Sequence, residues 1–142
     1  MSGEHDIAQL VQSLAPTLDE GDYVFATGTA IEVARISQQL GIFRESEGIS
    51  VICHPDEAAK AGLRRSGLFR RITLNVHSSL EAVGLTAHVS RVLAVEGIAC
   101  NVVAGYFHDH LFVPAGRADD ALVALRQLGK RGHSGARAGT AP

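Results

Sequence analysis

Two short stretches hold most of the side chains able to do chemistry: His77-Ser78-Ser79, followed by Val83-Gly84-Leu85, and Gly105-Tyr106-Phe107-His108-Asp109-His110. A helix starting at Gly84 would offer unpaired backbone N–H groups to a carboxylate, while Asp109 would take an amino group, so together they suit a small zwitterion. Each residue also has a plain structural use. Ser78 or Ser79 would cap a helix, Gly84 would let a helix pack closely, and Asp109 would shape a tight turn. Convergence of all of them on one place favours a ligand. A second chemistry is metal binding, with His77, His108 and His110 approaching one another and Asp109 as an oxygen ligand, an arrangement suited to zinc or another first-row ion. Neither an HExxH motif nor a paired-cysteine motif accompanies these histidines. A third is hydrolysis, for which Ser78, His108 and Asp109 supply the residue types but no G-x-S-x-G elbow. The chain also lacks a P-loop and a G-x-G-x-x-G after a strand, so no catalytic residue and no cofactor is expected.

The elements around these stretches follow from apolar spacing. Phe69 to Val76 alternates as a strand, and Leu85, Val89, Val92 and Leu93 form the apolar stripe of a helix entered at Gly84. Cys100 to Tyr106 and His110 to Val113 are two further strands, and Ala118, Ala121, Leu122, Leu125 and Leu128 line a helix closed by Gly129. The order β-α-β-β-α fits a split β-α-β-β-α-β sheet with helices on one face, lacking its last strand, which another unit or a second subunit would supply. In that topology the loop after the first strand and the hairpin between the other two meet at one end of the sheet. The two chemically equipped stretches are therefore expected side by side.

The first half repeats this logic less clearly. Ile7, Leu10, Val11 and Leu14 predict an amphipathic helix over 1–16, stopped at Pro16. Tyr23 to Thr27 reads as a strand ended by Gly28, and Ala30 to Leu40 as a weak helix without a good cap. A hairpin follows through Ser46-Glu47-Gly48, then a short helix from Pro55 with acids in its first turn and Gly62 after its end. Arg44, Glu45 and Glu47 form a solvated charged hairpin or a rim over a pocket, and Arg64, Arg65, Arg70 and Arg71 read as a basic interdomain linker. The expected domains are 17–67 and 68–129, with 130–142, rich in Gly, Ala and basic residues, a disordered tail.

Composition bounds the function. The 142 residues are 46% hydrophobic with a formal net charge of −2, which leaves no basic excess for nucleic acid and no apolar run of bilayer length. The acidic start and the two isolated cysteines, Cys53 and Cys100, point to a cytoplasmic protein with buried, reduced thiols.

Ile72 to Ala87 and Asn101 to Pro114, with Tyr23-Val24-Phe25 and Phe43 to Gly48, strongly resemble a family of small bacterial proteins built from two ACT domains. The second half is also similar to the ACT units of the eukaryotic cytosolic arginine sensor. The resemblance implies an α+β fold of tandem ferredoxin-like units, antiparallel sheets with helices on one face; the first unit departs from the pattern in lacking a long helix between its first strands and is read as degenerate. The resemblance implies a regulatory or sensory module, not an enzyme, that binds an amino acid at a domain or subunit interface; edge strands left by the incomplete units add the expectation of a homodimer or higher oligomer. By position it implies that Val83, Gly84 and Leu85, with Ala104, Gly105 and Tyr106, border the ligand and that Asp109 is its acidic contact. The alternatives are the histidine metal site, with or without hydrolysis, and a pure oligomerisation or interaction module.

Overall fold

Apolar alternation sorts the residues of each strand between the two faces of its sheet. The computed structural model describes residues 9, 11–76 and 83–138, with side chains described as far as residue 129. The chain divides into two compact units, Glu20–Arg70 and the remainder, Met1–Asp19 with Arg71–Pro142.

The Glu20–Arg70 unit contains β2 (Val24–Gly28), α1 (Ala30–Val33), β3 (Gly41–Arg44), β4 (Ile49–Cys53), α2 (Pro55–Lys60) and β5 (Arg64–Arg65). Its sheet order is β3-β4-β2-β5, all antiparallel, which is the ferredoxin-like arrangement complete in itself. Val24, Ala26, Val51 and Cys53 face Val33, Ala58 and Leu63 in its core. The arginines expected to form a linker lie in strands instead: Arg64 and Arg65 form the fourth strand, paired with Thr27 and Ala26, and Arg70 and Arg71 lie in the strand Phe69–Leu74. The weak helix at Ala30 is one turn long but is capped after all. Thr29 accepts from the Glu32 amide at 3.2 Å and its own amide donates to the Glu32 carboxylate at 2.9 Å, a full capping box.

The other unit is built on β1 (Pro16–Leu18), β6 (Phe69–Leu74), α3 (Leu85–Val95), β7 (Asn101–Ala104), β8 (Asp109–Pro114) and α4 (Ala118–Ala138), with a 3₁₀ turn at Ala115–Arg117. Its sheet order is β1-β6-β8-β7. The missing last strand is thus supplied by the chain's own early residues, with Pro16, Thr17 and Leu18 opposite Leu74, Thr73 and Ile72. This strand departs from the helix expected over 1–16. Gln9, Val11 and Gln12 are helical, but Ala15 turns left-handed at φ 41° and Pro16 opens the strand. Ile7 and Leu10 lie outside the described residues. Val11 and Leu14 are buried, as the helix stripe anticipated, against Leu74, Val89 and Leu125. Pairing of β1 with β6 is also why residues up to Asp19 group with the later unit, shifting the division from the expected 17–67 and 68–129.

Two further differences concern single residues. The final helix continues to Ala138 instead of closing at Gly129, which lacks the positive φ of a helix-ending glycine. A Cβ at Gly129 would stand 3.4 Å from the Val11 carbonyl oxygen, an ordinary contact distance. Cys53 is buried as expected, whereas Cys100 is only partly so, and both thiols are free.

Candidate functional site

The sheet of the later unit brings the hairpin between β7 and β8 to the end at which β6 finishes. Thr73, next to last in β6, has its hydroxyl 3.1 Å from His110 Nδ1, near the start of β8. His77, Ser78 and Ser79, which follow β6, lie outside the described residues. Beyond them Val83 is exposed, Gly84 is the N-cap of α3, and Leu85 is buried in the core.

Gly84 sits at φ 99°, a left-handed conformation that a side chain strains, and no side chain caps the helix there. Among the described residues no side chain accepts from the first amides of this eleven-residue helix. Leu85 points its side chain inward, so its contribution to any ligand would be through the backbone alone.

Across the hairpin, Ala104 pairs with Asp109, and the Gly105 amide donates to the His108 carbonyl at 2.9 Å. A Cβ on Gly105 would stand 2.9 Å from that same oxygen and 3.3 Å from His110 Nε2, so the turn requires glycine. At its tip the rings of Tyr106 and Phe107 meet edge-on, centroids 5.0 Å apart, yet are 78% and 64% exposed. Asp109 is half-buried, and His108 Nδ1 is a buried nitrogen with no hydrogen-bond partner among the described residues.

His110, whose expected chemistry was that of a metal ligand, belongs to a hydrogen-bonded cluster. The Thr73 hydroxyl donates to Asp19 Oδ2 at 2.6 Å, and Arg71 Nε stands 2.6 Å from the same oxygen. Because that hydroxyl proton is given to the carboxylate, Thr73 Oγ1 accepts from His110 Nδ1–H, which fixes the neutral imidazole with its acceptor at Nε2. Burial pushes the His110 pKa below its ordinary value, the Arg71 guanidinium adds to this, and Asp19 partly opposes it. Sequence reasoning missed this cluster. Its one available signal was Thr73, a polar residue between Ile72 and Leu74 that is only 8% exposed. Among the described residues no group of three His, Cys, Asp or Glu side chains is placed to hold a metal.

The charged hairpin of the earlier unit is a solvated turn, since Arg44, Glu45 and Glu47 are all exposed. Glu47 accepts from Ser46 and Glu45 from Ser50. Cys100, whose thiol burial pushes up to about 11, is not a reactive nucleophile.

Residues 2–70 and 70–127 each match a family described as ACT domain. A Vibrio cholerae protein of unknown function, titled a possible transport protein, is 44% identical, with 89% of this chain and 98% of that one covered and a TM-score of 0.79. The ligand-free regulatory subunit of aspartate kinase from Thermus thermophilus is 14% identical, with 80% and 97% covered and a TM-score of 0.63. Aspartokinase III of E. coli, solved with aspartate and ADP, is 12% identical, with 80% and 33% covered and a TM-score of 0.59. The last two likenesses are of fold. No curated protein matches the chain.

Proposed function

Because the chain belongs to the ACT-domain family and carries two such domains in tandem, we propose that it is a regulatory or sensory module that binds an amino acid or similar zwitterion. The site we assign comprises Ser78, Ser79, Val83, Gly84, Leu85, Ala104, Gly105, Tyr106 and Asp109, at an ACT domain or subunit interface. The observation that carries this reading is the side-chain-uncapped, left-handed Gly84 opening α3 in the unit whose hairpin presents Asp109. Helix amides attract a carboxylate, and an aspartate attracts an ammonium group. Such contacts fix the common part of an amino acid and leave the choice of side chain to pocket shape. In this reading the protein is cytoplasmic, is not an enzyme, and acts as a homodimer or higher oligomer. Edge strands β3 and β7, with Phe43 72% exposed and Val103 39% exposed, support pairing between copies.

Thermal unfolding against the proteinogenic amino acids tests the proposal. A ligand at 100 times its Kd adds about 2.7 kcal/mol, a rise of roughly 5 to 10 °C for a chain of this size. Asp109→Ala abolishes the rise while leaving the unliganded melting temperature nearly unchanged. Silence with every amino acid overturns the reading in favour of an interaction module. A shift produced only by zinc and reversed by chelator points instead to His77, His108 and His110.

A further inference from the structure

The imidazole of His110 reaches a neighbour on each side. Its strand, β8, stands between β6 and β7. Toward β6, Nδ1 is 3.1 Å from the Thr73 hydroxyl. Toward β7, Nε2 and Cδ2 lie 3.3 and 3.4 Å from the place a Gly105 Cβ would take, so the far edge of the ring rests on the bare turn. The Thr73 hydroxyl gives its proton to Asp19, whose carboxylate also takes Arg71 Nε at 2.6 Å, which leaves the lone pairs of Thr73 Oγ1 for His110. Asp19 is held in turn by its own amide, which donates to the Arg71 carbonyl at 2.9 Å. A line of polar contacts thus runs from the end of β1 through β6 and β8 to the end of β7.

Both parts of the proposed amino-acid site leave the sheet at this end. The segment that leads to Gly84 follows β6, and the hairpin presents Asp109. Ala104 and Asp109 form the last rung of the β7–β8 ladder before the turn. We propose that Thr73 is a positioning residue that, through the His110 ring, ties the hairpin carrying Asp109 to the strand from which the Gly84 segment continues. The inference rests on the amino-acid-binding reading and deepens it. Thr73 itself is only 8% exposed and acts through His110, with no contact to the ligand. An untied hairpin spends part of its time with Asp109 displaced, and the observed affinity falls with the fraction that remains in place.

Titration calorimetry of the whole chain tests this, using each proteinogenic amino acid in turn to find the one that binds. Thr73→Val keeps the shape and removes the hydroxyl, and is expected to weaken binding by about five- to tenfold, the equivalent of one hydrogen bond. Thr73→Ser restores the hydroxyl and should bind within about twofold of the parent. Ile72→Val, at a fully buried neighbour on the opposite face of β6, lowers the melting temperature but leaves the Kd unchanged. Parental affinity in Thr73→Val overturns the inference alone. So does a Thr73→Ser variant as weak as Thr73→Val, or an equal loss in Ile72→Val, since stability then explains the effect. Should Thr73→Val not fold, His110→Phe decides. Its ring still covers Gly105 but cannot donate to Thr73, so weakened binding supports the tie and parental binding overturns it. If no amino acid binds the parent protein, the reading of the site falls and this inference falls with it.

Discussion

Single residues govern the hairpin and the helix starts. Gly105 is fixed by the His108 carbonyl that a Cβ would meet at 2.9 Å. Gly105→Ala is therefore expected to cost about 1 to 3 kcal/mol in urea unfolding, because backbone, not a flexible side chain, must give way. Thr29→Ala removes the hydroxyl half of the capping box and should cost about 1 kcal/mol by the same measurement. That box was legible as Thr-x-x-Glu before Val33, although only four helical residues follow, too few for periodicity to announce them. Cys100, raised to about 11, should resist alkylation at pH 8 in the folded protein and react at an ordinary thiol rate in denaturant. The Asp19, Thr73, Arg71 and His110 cluster was not legible, because hydrogen bonding between residues 54 positions apart leaves no local pattern.

Among elements, those with strong periodicity read correctly and those made by pairing did not. The stripe of Leu85, Val89 and Leu93 announced α3, and Pro55 with Asp56 and Glu57 announced α2. β1 and β5 hold three and two residues, too short for any alternation to register. Each exists because a neighbouring strand offers unpaired backbone groups, which is a property of the assembled sheet. The fourth strand missing from the second β-α-β-β-α pattern was noticed, but its source in Pro16–Leu18, at the stop of the first helix, was not. Leu14, 1% exposed beside the entrance to β1, should be costly to truncate. Leu14→Ala is expected to lose about 2 to 5 kcal/mol, measured by chemical denaturation. Val123→Ala, on an exposed position of α4, should change stability by less than about 0.5 kcal/mol.

At the scale of the molecule, two ferredoxin-like sheets follow the same order, each with its fourth strand outermost. The tandem ACT architecture was readable because the strand-helix rhythm and the residues around Gly84 and Gly105 are contiguous in sequence. The candidate site was readable as a location, the end of one sheet, while its polar wiring was not. The pairing of β1 with β6 also sets an order of events during synthesis. Pro16 is made about 60 residues before its partner Leu74, so at roughly 5 to 20 residues per second it waits about 3 to 12 s. In that interval residues 20–70, which make up the earlier compact unit, are all synthesised. A growing chain thus carries an early segment with two buried-type side chains, Val11 and Leu14, and nothing yet to bury them. Val11 and Leu14 therefore find their partners only once the later helices have been made.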